Sequence, residues 1–226
     1  WAGRLFSSLI FIIISVNTVS AQGEASEKFS AGADFCSSFI WRGTRNGSGP
    51  AVQPVLEYSH GSLTAGAWGS FDFRGYQEVD LYLDFEFESG LSLGIQDYYS
   101  PDLEYFNFSR EDGSHAFELN IGFAKDNFQF EANCLLNEAG GIGSSGRDLY
   151  FEAGYSFGQL TLFAGAGNGW LTYDPETESG KFNICNTGIQ VVKTINVTDT
   201  FNIPVTGQLI FNPDREQLFL VVSFTL

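Results

Sequence analysis

The feature that most restricts this fold is a strict alternation along Glu78-Val79-Asp80-Leu81-Tyr82-Leu83-Asp84-Phe85-Glu86-Phe87, where every odd position is apolar and every even one is polar or Tyr. A period of two is the repeat of a β-strand with two unlike faces, whereas a helix would scatter these residues around its axis. The alternation returns in Leu91, Leu93 and Ile95, in Phe117, Leu119, Ile121 and Phe123, and in Phe128, Phe130 and Ala132. It returns again in Leu149, Phe151, Ala153, Tyr155 and Phe157, and in Leu218, Leu220, Val222, Phe224 and Leu226. No helical period competes with it. Combined with turn signals, it predicts about twelve strands, over 29–42, 51–59, 62–72, 77–87, 91–99, 115–124, 128–137, 148–157, 160–167, 181–193, 200–211 and 216–226. Most are near the roughly 9–11 residues that a tilted strand needs to cross a bilayer. The 23 Phe, 9 Tyr and 26 Gly, beside only 17% charged residues, point the same way.

The connections sort by length. Short turns fall at His60-Gly61, Glu88-Ser89-Gly90, Lys125-Asp126-Asn127 and Gly158-Gln159, while the links 43–50, 100–114, 138–147 and 168–180 are long and rich in Gly, Ser, Asp and Glu. Links 73–76 and 212–215 are the shorter members of the long side. Short turns on one side, long links on the other and an even strand count with both termini on the short-turn side are the layout of an outer-membrane β-barrel. Period two alone does not say which face is wet, since a soluble barrel turns its apolar row inward. Charges at mid-strand (Asp80, Asp84, Glu118, Glu131, Glu152) suit a hydrated lumen. Aromatics near strand ends (Trp41, Tyr58, Tyr98, Tyr99, Trp170, Tyr173) suit rings at lipid headgroup level. The expected fold is therefore all-β: an antiparallel transmembrane β-barrel of about twelve strands, closed because an open edge in hydrocarbon leaves unpaired N–H and C=O groups.

Leu5 to Val16 is an apolar run of signal-peptide length, preceded by Arg4 and followed by Val19-Ser20-Ala21, a small-x-small cleavage pattern. The expected division is a signal peptide over 1–21 and one barrel domain over 22–226, with both termini periplasmic. A formal net charge of −16, from 27 Asp and Glu against 11 Lys and Arg, argues against nucleic acid as a partner, because nothing basic would displace counterions. Cys36, Cys134 and Cys185 lie far apart with no CxxC, so neither a zinc site nor a disulfide framework is indicated, though two that face each other could pair. Gly140-Gly141-Ile142-Gly143-Ser144-Ser145-Gly146 lacks the Lys of a phosphate loop. Asp174-Pro175-Glu176-Thr177-Glu178 and Asp102-Leu103-Glu104 lack the spacing of a calcium loop. No cofactor or metal is expected.

The polar row supplies the candidate pore-lining residues: Glu57, Glu78, Asp80, Tyr82, Asp84, Glu86, Glu118, Asn120, Gln129, Glu131, Tyr150 and Glu152, with Arg42 opposite them at the mouth. Rings of carboxylates favour cations. The competing reading is that these acids pair internally with Arg42, Tyr82, Tyr150 and the amides, filling a small lumen. Enzymatic chemistry finds little support. His60 lies in a turn, and His115 beside Ser114 points to the opposite face, so the two do not form a nucleophile–base pair; a partner such as Ser70 or Ser100 would have to come from another strand.

Phe39-Ile40-Trp41-Arg42-Gly43, Gly49-Pro50-Ala51-Val52-Gln53-Pro54, Trp68-Gly69-Ser70, Glu78-Val79-Asp80-Leu81-Tyr82 and Asp97-Tyr98-Tyr99-Ser100-Pro101 resemble, in that order, the TorF family of porins. The similarity runs on through His115 and Glu118 to Asn212-Pro213 and the closing strand. The resemblance implies a Gram-negative outer-membrane barrel with a channel role. One departure is the terminal Leu226, where an aromatic residue usually serves recognition by the barrel-assembly machinery; Phe224 stands one face-step earlier. Together these readings predict a porin-like channel for passive diffusion of small solutes with a cation preference, and outer-membrane lipid, small solutes and the assembly machinery as partners. The alternatives are a non-conducting structural or receptor barrel acting through its long loops and, further off, an outer-membrane hydrolase.

Overall fold

A computed structural model of the chain describes residues 28–172 and 180–226, with the backbone of a two-residue pairing between Phe6–Ser7 and Ile10–Phe11. The expected signal peptide and cleavage after Ala21 otherwise lie outside the described residues, as do Tyr173 and the Asp174–Glu178 stretch. Twelve antiparallel strands follow one another around a closed barrel. They are β1 (Lys28–Cys36), β2 (Ala51–His60), β3 (Leu63–Asp72), β4 (Gln77–Glu86), β5 (Leu91–Tyr99) and β6 (His115–Lys125). Then come β7 (Phe128–Leu135), β8 (Leu149–Phe157), β9 (Leu160–Gly167), β10 (Asn183–Asn196), β11 (Asn202–Asn212) and β12 (Gln217–Thr225). Each strand pairs with its sequence neighbours, and β12 returns to β1.

The alternation decides the faces. Leu81, Leu83 and Phe85 on β4, Leu93 and Ile95 on β5, Leu119 and Ile121 on β6, and Leu220 and Val222 on β12 all stand exposed. Asp34, Gln53, Ser70, Asp80, Gln96, Glu118, Asn133, Glu152, Gln190 and Gln208 are buried inside. A belt of large apolar side chains around the whole wall exceeds any patch that a soluble surface carries, and it suits contact with hydrocarbon. Inward bulk is often accommodated sideways. Tyr82 lies where a Cβ on Gly66 of β3 would reach its Cζ at 2.2 Å, Tyr150 covers Gly165 of β9, Asp84 covers Gly94 of β5 and Gln129 covers Gly154 of β8. These side chains lie along the wall over a glycine of the next strand.

The first expected strand is corrected. It does not run from 29 to 42: it ends at Cys36, and the chain turns into the lumen as a hairpin, Phe39–Trp41 paired with Thr44–Asn46. The Ser37 side chain accepts the Val222 N–H (3.0 Å) and its own N–H reaches Val222 O (2.9 Å), so the ladder is finished before the wall is left. The seam between β12 and β1 is consequently short: Ser223, Phe224 and Thr225 face Cys36, Phe35 and Asp34, and Leu226 exchanges two backbone bonds with Ala33. Thr225 Oγ1 donates to Asp34 Oδ1 on the inner face (2.5 Å), and Phe35 stacks on Phe224 on the outer one, centroids 5.0 Å apart. All three cysteines are free.

With so few ladder bonds at the seam, its side-chain pairs carry an unusual share of closure. Phe224→Ala is expected to lower the unfolding free energy by about 1 kcal/mol through loss of the ring pair, measured by denaturant unfolding from lipid vesicles. Leu218→Ala, on the same strand but 65% exposed, should cost less; equal losses would show that the ring pair adds nothing.

Candidate functional site: a hairpin across the barrel mouth

Everything at the long-link end is organised by the inward hairpin. Its two central residues both have positive φ, Arg42 at 49° and Gly43 at 80°, the backbone of a two-residue turn whose twist matches the flanking strands. Glycine at 43 is required twice: for that φ, and because a Cβ there would lie 1.9 Å from Cys185 O. The seat on β10 is a bulge, where Gly165 pairs with Asn186 but Ala166 with Ile184, so that Cys185 and Asn186 both turn inward and are buried. From β11, Asn212 Nδ2 donates to Gly43 O (2.9 Å).

Arg42 completes the span. Its Nη1 and Nη2 donate to Glu118 Oε1 and Oε2 on β6 at 2.7 and 2.8 Å, a bidentate pair with both side chains almost fully buried. The guanidinium lies 4.7 Å over the Trp41 ring and 4.6 Å over that of Tyr150. Tyr98 from β5 donates its hydroxyl to Glu118 Oε2 (2.9 Å). The hairpin therefore leaves β1 and is gripped by β5, β6, β8, β10 and β11, which holds it across the mouth. Below it, Glu131 and Glu152 are cross-strand partners on β7 and β8. Glu152 accepts from Tyr150 and from Asn186 Nδ2 (2.8 Å), while Glu131 Oε1 and Arg42 Nε are buried without a partner among the described residues. One guanidinium thus serves a group of three carboxylates.

Most predicted lining residues take their places on the inner face. Glu57 accepts from Ser30 (3.2 Å) and Tyr82 (2.7 Å) in the short-turn half, Asn120 accepts from Asn133 (2.6 Å), and Asp80 accepts from Gln96 (2.8 Å). Glu78 sits at the long-link end with the Tyr76 hydroxyl on it (2.5 Å). Asp84 and Gln129 lie along the wall, and Glu86 stands exposed at the other rim. Two placements differ from expectation. Arg42 is not at a strand end but at the hairpin tip. Trp41, Tyr98 and Trp170 do not form a lipid-facing girdle: their rings meet edge-on inside the mouth, at centroid distances of 5.6, 5.9 and 6.0 Å.

The other links are pinned around this group. A short 3₁₀ turn, Gly169–Leu171, presents Trp170, whose N–H donates to Asp148 Oδ2 (3.1 Å) and whose Nε1 donates to Gly143 O (2.5 Å). Burial pushes the Asp148 carboxyl up, against the Trp170 N–H that holds it down. His115 has an acceptor at each ring nitrogen, Asp97 at 2.9 Å from Nδ1 and Tyr105 O at 2.5 Å from Nε2, and it stacks between Tyr99 and Phe108. Ser114 Oγ donates to Glu104 O (2.8 Å). The structure brings neither Ser70 nor Ser100 within hydrogen-bond reach of His115. Above the hairpin lies a cavity of about 390 Å³ bounded by Trp41, Tyr76, Tyr98, Tyr99 and Trp170.

The chain belongs to the Gcw_chp family, bacterial proteins of unknown function. The family model matches residues 20–198, which takes in β1 to β10 and the hairpin and stops short of β11. No curated protein matches. Among solved structures, a mutant porin of Rhodopseudomonas blastica is similar at 12% identity and a TM-score of 0.41, over 78% of this chain and 55% of that one. BamA from Haemophilus ducreyi lacking POTRA domains 1–3 is similar at 14% identity and a TM-score of 0.42, over 82% of this chain and 41% of that one. The chain thus spans about half the length of these barrels.

Sequence reasoning missed the hairpin, the Cys185 bulge and the inner amides Gln53, Gln96, Asn186, Gln190 and Gln208. A usable signal was present: Arg42-Gly43 is a two-residue turn between Phe39-Ile40-Trp41 and Thr44-Arg45-Asn46. Removing one partner of a buried ion pair strands the other. Glu118→Ala is therefore expected to cost about 3–5 kcal/mol of stability, and the Arg42→Ala, Glu118→Ala double variant clearly less than the sum of the two single ones. Additive losses in a double-mutant unfolding cycle would show that the two residues do not act as a pair.

Proposed function

We propose that this protein is a porin-like channel of a bacterial outer membrane, passing small solutes by diffusion with a preference for cations, and that the inward hairpin is its gate. The observation that carries the reading is the Arg42–Glu118 bridge, a buried bidentate ion pair that ties the tip of the two-stranded ribbon between β1 and β2 to the far wall. The apolar belt, the closed wall and the carboxylates of the inner row support it, as does the fact that Arg42 is the one buried Lys or Arg among the described residues. The ordered motifs shared with TorF porins support it too. Export by residues 1–21, a Gram-negative source, periplasmic termini and insertion by the barrel-assembly machinery belong to the same proposal, as does transport rather than catalysis.

The hairpin's hold on five strands also favours a second reading, a closed barrel that acts through its mouth without conducting. Planar-bilayer recording of the refolded protein separates the two. The channel reading expects rare openings for the parent protein and openings about ten to a hundred times more frequent for Arg42→Ala, as loss of a few kcal/mol from the closed state requires. In a KCl gradient the open state should reverse on the cation side, and Asp84→Asn with Glu131→Gln should bring that potential towards zero. Silence from both proteins after verified insertion would leave the non-conducting barrel.

A further inference from the structure

The cavity above the hairpin is not needed for gating, and its lining is specific. Trp41 and Trp170 with Tyr76, Tyr98 and Tyr99 supply aromatic wall, while Thr44, Asn46, Gln77, Glu78, Ser100 and Asp102 supply hydroxyls, amides and carboxylates. Its volume of about 390 Å³ falls within the range of small-molecule sites. No Lys, Arg or His is among the described residues that line it, and the guanidinium of Arg42, beside the lining residue Trp41, is held by Glu118. An anionic ligand would meet two carboxylates and no base.

Two neutral-to-cationic ligand chemistries remain, and the geometry chooses between them. An organic ammonium is recognised by rings standing apart around it, but three of the five rings, Trp41, Tyr98 and Trp170, meet one another edge-on and leave no gap among themselves to enclose it. The polar atoms also ask for both donors and acceptors. The side-chain amides of Asn46 and Gln77 can donate and accept, and the Ser100 hydroxyl can do either. Glu78 and Asp102 offer acceptors. Hydroxyl groups on a ring meet both demands at once, and the ring's C–H face suits an aromatic wall.

We propose that the aromatic cavity above the hairpin is a binding site for a neutral sugar of one or two rings. Because Trp41, Thr44 and Asn46 belong to the hairpin, an occupied site also rests on the gate. The inference does not depend on the channel reading, since binding is read without current.

The test is isothermal titration of the full-length protein refolded in a polyoxyethylene detergent, which has no sugar head group, with glucose and maltose as probes and choline and glucuronate as controls. Tryptophan emission is followed in parallel. Saturable binding of either sugar is expected, with a shift in emission, weaker binding of glucuronate, and about a tenfold loss of sugar affinity for Glu78→Gln and for Asp102→Asn. Asp102 lies exposed on a link, so its substitution leaves the fold intact even if Glu78→Gln does not. The proposal is overturned by the absence of saturable sugar binding, by sugar binding that Asp102→Asn and a folded Glu78→Gln leave unchanged, or by binding of choline alone.

Discussion

The constraint on which the rest depends is that hydrocarbon offers no partner to a peptide N–H or C=O. A chain whose alternating strands expose apolar residues must satisfy its backbone from within, and a ring of antiparallel strands does so with only one non-sequential pairing, β12 with β1. Closure then dictates the faces. With Leu, Ile, Val and Phe turned outward, the opposite side of the same strands is obliged to be polar, and the carboxylates arrive inside as a by-product of the period. What the period does not provide is a use for that interior. Here it is the departure from the wall at Ser37 that gives one, by sending a ribbon inward to meet the acids.

The interior acids consequently fall into two populations. Glu118 and Glu152, near the hairpin, each accept from two side chains and hold structure together: a guanidinium and a phenol on the first, a phenol and an amide on the second. Glu57 and Asp84, towards the short turns, are only half-buried. Internal pairing of the acidic row is thus visible near the hairpin, while the acids towards the short turns are less enclosed. His115 illustrates the same economy at the rim, where an imidazole clamps the 100–114 link through Asp97 and Tyr105.

The barrel was legible because its signal is redundant. Eleven of the twelve strands were placed to within about three residues at each end, since each must alternate, span a similar length and meet a turn. The hairpin was not legible, because Phe39-Ile40-Trp41 continues the apolar character of β1 and the break consists only of Ser37-Ser38, a pair that strands also tolerate. The aromatic cluster failed for a related reason. A Trp near a strand end reads the same whether its ring points to lipid or to the mouth, and that choice is made by the bulge at Cys185 and by Asp148, which act across 144 and 22 residues of chain from Trp41 to Cys185 and from Asp148 to Trp170. Local pattern carries no information about such meetings.

The hairpin tip has a consequence for the order of assembly. Gly43 is gripped by Asn212, 169 positions away, and Arg42 by Glu118, 76 positions away. Chain synthesis therefore delivers the ribbon long before its seat exists, and its final docking waits on β6 and β11. The docked ribbon is a marker of a completed ring: only a chain that has brought β5, β6, β8, β10 and β11 to their proper heights can hold it.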